Sequence, residues 1–449
     1  MKHECATLGP IVEIESLDHE GHGVARLHGK VVFVDGALPG ENAEISVFRK
    51  HPKYDSANAV AILKVSAQRA IPRCPHFGRC GGCSLQHLEA SAQVAVKQRI
   101  LEENLWRIGK VSAEFMLPAL HGPYWGYRHR ARLSVRKVAR KGGVLVGFHE
   151  KRSSFIADMH SCEVLHPAAA DLIQPLRTLI SQFSNSERIP QVEVAVGEHV
   201  TILVFRLMDP WSSRDENLVR EFVDQHEGVQ IWIQPKGPDT AYAFYPAKAP
   251  ALDYSLPEFG LVIPFRPTEF TQVNMAINRA LVRRTVYLLA PRPGDRIADF
   301  FCGLGNFTLP LASSGATVIG IDGSKGLVEK ARQNAAENGL HNVGYAVDDL
   351  FQMTAEKYSR LGFFDKLLID PPRDGAMELV KSLPERNGPW RIVYVSCNPA
   401  TLARDTELLC HVKGYRLVAA GVANMFPHTA HVESIAVFER MPLKQDGTR

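Results

Sequence analysis

Residues 296–310 read RIADFFCGLGNFTLP. The first five have the apolar character of a strand covered on both faces. Gly303 and Gly305 follow at once, and glycine lets a backbone turn tightly and come close to a ligand. ATVIGID (316–322), KLLID (366–370) and RIVYVS (391–396) repeat the strand pattern. Between them SKGLVEKARQNAAENG (324–339) puts Leu327, Val328, Ala331 and Ala335 on one helical face, with Gly339 fitting just past its end. Strands alternating with helices from about residue 271 onward predict a mostly parallel, doubly wound, Rossmann-like sheet, with ligands bound outside the carboxyl ends of its strands.

Upstream the pattern is different. Over the first 67 residues short β-rich pieces, VVFVDG (31–36) and ENAEISVFRK (41–50), are punctuated by Gly21, Gly23, Gly29, Gly36 and Gly40. Ala43, Ile45 and Val47 alternate with Glu44 and Ser46, the period of a half-buried strand. A small OB-like β-barrel is expected, a fold that can bind oligonucleotides or serve structure alone. A cysteine-rich turn follows at 74–83, then a helical stretch from about Leu88 to Ile108. VEVAVGEHVTILVFRL (192–207) and VQIWIQP (229–235) are β-rich, and the polar SQFSNSERIP (181–190) reads as a loop. Prolines thicken between Pro235 and Pro267, as at a domain boundary. The expectation is a multidomain α/β chain, divided into 1–67, a central α+β domain over 68–270 and a ligand-binding domain over 271–449. The segment from about 91 to 121 carries no domain assignment of its own.

Composition narrows the function classes. With 449 residues, 45% hydrophobic and 22% charged, the chain has the balance of a soluble globular protein. No apolar run approaches the length of a membrane span, so no membrane partner is expected. The opening MKHECATLGPIVEIE lacks the apolar core of a secretory signal. Eight cysteines are too few for a disulfide scaffold and suit a reducing cytoplasm. A net charge of +4 hides a strong local bias: Arg49 to Arg152 carries 20 Lys/Arg against 6 Asp/Glu. Such a block is either a solvated basic face or the footprint of a polyanion, and nucleic acid is the favoured partner. Arg128, Arg130, Arg132 and Arg136 fall at strand spacing, opposite Tyr127, Ala131, Leu133 and Val135. A half-buried strand with a cationic outer side, suited to phosphates, is expected there. Phe77, Tyr124 and Trp125 read as core more readily than as base-stacking platforms.

Three motifs fall at predicted strand ends. Asp322 closes the strand after the glycine pair, where an acid can accept hydrogen bonds from both hydroxyls of a ribose. A dinucleotide dehydrogenase would need glycine at 308, where this chain has Thr308. The pattern therefore favours a nucleoside ligand without a pyrophosphate, which points to S-adenosylmethionine. Asp370-Pro-Pro-Arg373 is a rigid strand-end loop that can hold an acid at a pocket mouth. Ser396-Cys-Asn-Pro399 puts Cys397 on the same sheet edge, and cysteine is the best protein nucleophile near neutral pH. Cys302 and Cys410 read as packing residues, and Cys5 carries no argument. Near the end, MFPHTAHVE (425–433) supplies Glu433 and two histidines for acid–base chemistry. His428 and His431 lack a third clustered ligand for a metal.

Taken together, DFFCGLGNFTLP, IDPPR, SCNPATLARD and MFPHTAHVES resemble the RNA uracil-C5 methyltransferases, which use S-adenosylmethionine. The N-terminal barrel resembles the TRAM domain, and the cysteines place the likeness nearest the branch acting on 23S ribosomal RNA. The resemblance spans nearly the whole chain and implies a class I methyltransferase fold for 271–449. It implies that Cys397 is the nucleophile and Glu433 the base that removes the C5 proton. It implies cofactor contacts from Gln272, Phe301, Asn306, Asp322, Asp349 and Asp370. The family often has Glu where Asp322 stands, so the acid here is one methylene shorter. A monomer in the cytoplasm is expected.

The cysteines Cys74-x5-Cys80-Gly-Gly-Cys83, with Cys162 as a distant fourth, suit tetrahedral zinc or an iron–sulfur cluster, and spacing alone leaves both open. The spacing differs from that of radical S-adenosylmethionine enzymes, and no βαβ context supports a thioredoxin-like motif at 80–83. The resemblance implies a 4Fe–4S cluster on Cys74, Cys80, Cys83 and Cys162, with a structural or RNA-positioning role. Three other readings compete: methylation of the tRNA T-loop uridine, an RNA-binding or chaperone module with an inert methyltransferase fold, and a redox enzyme built on the cluster.

Overall fold

The computed structural model describes residues 9–141 and 143–441, so Cys5 lies outside the described residues. Two compact units make up the chain. One comprises Met1–Lys97, Phe148–Ala157 and Phe426–His431; the other comprises Gln98–Gly147, Asp158–Met425 and Val432–Arg449.

In the first unit six strands form one sheet in the order Ile11–Glu13, Asn42–Lys50, Tyr54–Lys64, Lys30–Asp35, Gly23–Leu27, Ser16–Leu17. The two edge strands are consecutive in the chain with only Ile14 and Glu15 between them. A sheet whose edges are joined by two residues must roll up, and Glu15 N donates to Val24 O at 2.8 Å, extending the pairing of Ser16–Leu17 with Gly23–Leu27 into that joint. Val12, Ile14, Ala25, Val32, Val34, Ala43, Ile45 and Ala57 fill the interior. Buried Glu41 ties the barrel to the chain leaving it, accepting from Leu38 N, Ser66 N and both Nε and Nη2 of Arg69.

The second unit contains two large sheets. The first runs Tyr242–Tyr245, Val229–Gln234, Thr201–Arg206, Gln191–Val196, Arg130–Val138, Gly143–Gly147, with helices Ile173–Ser181 and Ser213–Asp224 beside it. The expected alternation along Arg130–Val138 is present: Ala131, Leu133 and Val135 are buried, while Arg132 and Arg136 are exposed. The cationic face is smaller than expected. Arg130 gives its guanidinium to the carbonyls of Glu269 and Pro267, Arg128 Nε donates to Arg130 O at 2.9 Å, and Arg132 pairs with Glu193 at 3.0 Å. A polar residue on an outward face need not meet solvent, because an adjoining loop can take up its donors.

The second sheet carries the predicted motifs. Its strands are β1 (Arg296–Phe300), β2 (Thr317–Asp322), β3 (Val343–Val347), β4 (Lys366–Ile369), β5 (Arg391–Ser396), β6 (Tyr415–Ala423) and β7 (Glu433–Arg440). They lie in the order β3-β2-β1-β4-β5-β7-β6, and only β7 runs antiparallel to its neighbours. β1, β4 and β5 are buried almost throughout, which is why their sequences are continuous apolar runs. The helix Lys325–Glu337 starts at Ser324, whose side chain accepts from Leu327 N, and stops at Gly339 with φ +68°. The helix after β5, Pro399–His411, is capped by Asn398, with proline in its first turn. Phe115–Met116, from the segment without a domain assignment, pairs in parallel with β6 and caps that edge of the sheet.

Candidate active site

The loop after β1 lies at the sheet's carboxyl edge. Phe301 leaves the strand in the left-handed region, φ +66°, followed by Gly303 at +53° and Gly305 at +94°. This brings Gly303 N within 3.2 Å of Asp322 Oδ2, and Ser324 N donates to Asp322 Oδ1 at 2.8 Å. Nothing lies within 4 Å of where a side chain on Gly303 would begin, so that peptide faces open space. At Gly305 a Cβ would crowd Leu309 at 3.1 Å, so its small size serves packing of the next helix. The Phe301 ring meets Phe351 with centroids 5.7 Å apart. Asp349, two residues before Phe351, accepts from Phe351 N and Gln352 Nε2.

Asp299 lies beneath this loop, fully buried. Thr308 Oγ1 donates to its Oδ2 at 2.5 Å, and its Oδ1 has no hydrogen-bond partner. Burial pushes the carboxyl up to about 8, against the Thr308 bond and with help from the charges of Asp370 and Asp322. Sequence reading treated Thr308 only as a missing glycine; its hydroxyl holds this acid. Asn306 is clasped by its neighbours: Oδ1 accepts from Tyr254 OH and Asn278 Nδ2, and Nδ2 donates to Asn278 Oδ1.

The second half of the site lies along β4, β5 and β7. Asp370 N donates to Phe300 O at 3.2 Å, which ties the Asp-Pro-Pro-Arg loop to β1. Arg373 O accepts from Asn398 Nδ2 at 3.0 Å and Thr401 Oγ1 at 3.2 Å, which ties the same loop to the cysteine turn. Ser396, the last residue of β5, pairs with Ser434 of β7, and Ser434 Oγ donates to Ser396 O at 3.1 Å. One residue beyond that pair come Cys397 on one strand and Glu433 on the other. Cys397 is half-buried and Glu433 is 3% exposed.

The electrostatics bind these groups together. Burial pushes the Cys397 thiol up to about 11, the charges of Glu433 and Asp370 add to it, and Arg373 opposes them. Burial also holds the Glu433 carboxyl well above the usual range, with Asp370 adding, and lifts that of Asp370 to about 7. Three acids crowd one end of the sheet, so a cationic occupant would stabilise the ionised form of all three. Arg373, which sequence reading quoted without a role, is the protein cation that favours the thiolate; its place at the end of the Asp-Pro-Pro loop was the available signal.

Gln272 stands apart from these contacts. It is half-buried in the loop that Arg130 braces through Pro267 and Glu269, next to buried Thr271. Cys302 is buried against Gly320, where a Cβ would lie 3.1 Å from its sulfur, and Cys410 is half-buried on the helix Pro399–His411. Both thiols are pushed up by burial, as inert packing residues are.

In the first unit Cys74, Cys80 and Cys83 are half-buried and carry no disulfide. Gly82 N approaches Cys80 Sγ at 3.4 Å, and the charge of Cys74 bears on Cys80. Cys162 is buried in the second unit. Phe77 packs against His87 at 5.5 Å with Lys151 Nζ 5.2 Å from its ring, while Tyr124 and Trp125 are half-buried. His428 is buried and His431 is exposed beside Phe426.

Residues 127–441 match the family model of tRNA (uracil-5-)-methyltransferases, and residues 11–60 match that of the TRAM domain. A protein of Thiobacillus denitrificans named 23S rRNA (uracil(1939)-C(5))-methyltransferase is 72% identical, over 96% of this chain and 100% of its own length. A protein of the same name from Dechloromonas aromatica is 58% identical, over 96% of this chain and 99% of its own length. The solved structure of Pyrococcus abyssi tRNA (uracil-54, C5)-methyltransferase in complex with S-adenosyl-L-homocysteine superposes with a TM-score of 0.73 at 25% identity. That match covers 97% of this chain and 100% of that one.

Proposed function

This chain belongs to the tRNA (uracil-5-)-methyltransferase family, and on that premise we propose that it methylates C5 of a uridine in 23S ribosomal RNA with S-adenosylmethionine as donor. The relatives' names give that uridine as position 1939. The carrying observation is the placement of Cys397 opposite Glu433 at the carboxyl edge of the sheet, beside the Asp322 and Asp370 loops.

The residues fit the donor. The peptide at Gly303 faces open space, Asp322 is presented at a strand end, and Asp299 keeps an orphan buried oxygen below. Asp322 would take the ribose hydroxyls, and Phe301, Asp349, Asn306, Gln272 and Asp370 would complete the pocket. When bound, the donor supplies an electrophilic methyl group on a sulfonium, whose sulfur leaves as the neutral thioether.

The protein's task is to make C5 nucleophilic. Cys397 thiolate adds to C6, forming an S–C6 bond and moving the C5=C6 pair into an enolate. C5 then takes the methyl group. Glu433 removes the C5 proton; that electron pair restores C5=C6 and expels Cys397 as thiolate. Arg373 lowers the cost of the thiolate at both ends of the cycle. A stacked uracil hides C6, so the base must be unpaired or flipped out to react.

The barrel and the basic block from Arg49 to Arg152 support RNA binding. Three cysteines in one turn, one accepting an N–H on sulfur, form a soft donor set that fits an iron–sulfur cluster. Cys74, Cys80, Cys83 and Cys162 would hold a 4Fe–4S cluster whose role is to anchor chain, since methyl transfer needs no electron. The working division is a TRAM barrel over 1–67, a central domain over 68–270 and a methyltransferase domain over 271–449, acting as a single chain in the cytoplasm. Among the described residues no helix is long and apolar enough to cross a membrane.

The test is methylation of 23S ribosomal RNA from a strain lacking this protein, with label carried by the donor methyl. Label in one uridine of that RNA is expected; label in tRNA alone would favour the T-loop reading.

A further inference from the structure

The loop that joins β6 to β7 ends at Glu433, and six hydrogen bonds from residues 84–97 hold it. Gln93, on the first turn of the helix Ala90–Arg107, is completely buried. Its Oε1 accepts from His428 N at 2.8 Å, and its Nε2 donates to His428 Nδ1 at 3.1 Å. The same Nε2 faces Leu88 O at 2.8 Å and Leu85 O at 3.1 Å, which ties the bonds to the turn before the helix. Ser84 N and Leu85 N both donate to His428 O at 2.9 Å, and Ala430 N donates to Ser84 Oγ at 3.1 Å. One helical turn beyond Gln93, buried Lys97 donates from Nζ to Phe426 O at 2.8 Å. His428 itself sits at φ +65°, a conformation that residues with a Cβ rarely adopt.

This is an expensive way to pack a loop. An apolar residue at 93 or 97 would fill the same space without desolvating an amide or an ammonium. Directional bonds to the backbone on both sides of His428 do what apolar packing cannot: they set the path and twist of the chain. The last amide that these bonds reach, Ala430 N, is three residues from Glu433, so little slack remains before β7 begins.

We propose that Gln93, assisted by Ser84 and Lys97, is a positioning residue for the base. It holds loop Phe426–His431 so that Glu433 enters β7 with its carboxylate placed for proton abstraction. The proposal rests on the reading of Glu433 as the base. The bonds of the Gln93 side chain run to His428 and to the turn before its helix, so its loss acts through Glu433, after methyl transfer, on resolution of the covalent intermediate.

The test compares full-length Gln93→Met, Ser84→Ala and Glu433→Gln with the parent chain on a ribosomal RNA fragment. Single-turnover experiments with labelled donor follow methyl transfer, release of product RNA and the denaturant-stable RNA–protein adduct. Gln93→Met is expected to slow release about tenfold and to accumulate labelled adduct, with the methyl-transfer rate and RNA affinity unchanged. Ser84→Ala, which removes one bond and leaves the helix intact, shifts the same way by about threefold. If Glu433→Gln traps adduct and Gln93→Met turns over normally, or loses methyl transfer and release together, the positioning role is overturned. If Glu433→Gln itself traps none, the assignment of the base fails and the proposal falls with it. Should Gln93→Met not fold, Ser84→Ala decides by the same adduct.

Discussion

Cys397 and Glu433 each adjoin the Ser396–Ser434 pair that ends the β5–β7 ladder, close enough that the charge of Glu433 bears on the thiol. Cys397 lies past the end of β5 and is half exposed to an incoming ring, while Glu433 is enclosed and held by β7's pairing with β6, opposite Ala423. Replacing Cys397 with alanine should lower methyl transfer by about 10⁴-fold or more and abolish the adduct, while calorimetry finds donor binding intact. Appreciable turnover in that variant would remove the covalent mechanism.

The thiol of the free chain is pushed up to about 11 by burial and by Glu433 and Asp370. Its thiolate fraction therefore rises with pH throughout the neutral range. Alkylation of Cys397, followed by peptide mass spectrometry, should accelerate about tenfold per pH unit between roughly 7 and 9. Arg373→Ala, by removing the cation that favours the thiolate, should slow alkylation at every pH in that interval. A plateau near neutrality would mean that the thiol is already ionised.

Burial pushes the Asp299 carboxyl of the folded chain up to about 8, against about 3.9 when unfolded. Because the folded value is raised, its contribution to stability is complete below pH of about 4 and is lost as pH climbs through 8. Asp299→Asn keeps an acceptor for Thr308 and has nothing to ionise. Thermal unfolding should show the variant gaining on the parent as pH rises from 5 to 8, by on the order of 2–4 kcal/mol. Parallel curves would contradict the buried, neutral acid.

At Gly303 the backbone is left-handed and the space above it is open. Alanine there should cost about 1 kcal/mol in stability. Its methyl group would project toward the donor, so donor affinity should fall about tenfold or more, read by calorimetry. Equal affinity would place the donor elsewhere.

If the cysteines hold a 4Fe–4S cluster, anaerobically purified protein should be brown and contain about four iron and four sulfide per chain. Cys83→Ser should lose the visible absorption. Stoichiometric zinc without sulfide would assign the other metal that fits the same donors.

Much of the methyltransferase sheet was readable because its central strands are buried on both faces. RIADF, KLLI and RIVYVS announce themselves as apolar runs, and the apolar face read within 324–339 and the Gly339 signal locate the helix Lys325–Glu337. Val343–Val347 was not singled out: it is the opposite edge, half exposed, and its residues carry no clean period. The arginine strand shows the limit on polar residues. Alternation revealed the buried face, yet the carbonyls that Arg130 meets come from distant sequence. The same holds for the site. Cys397 and Asp370 were legible from strand-end position, while the pairing that brings Glu433 opposite the cysteine depends on register, which no local pattern encodes.

Phe115 and Met116 close the edge of the sheet beside β6. They are translated long before the strands they join, so the emerging chain holds this edge strand in waiting until β6 has left the ribosome. A fragment begun at residue 271 would lack it altogether and would carry β6 as a bare, nine-residue border. Such a border invites pairing with a second molecule, so that fragment should self-associate, whereas one begun near residue 98 retains its own guard.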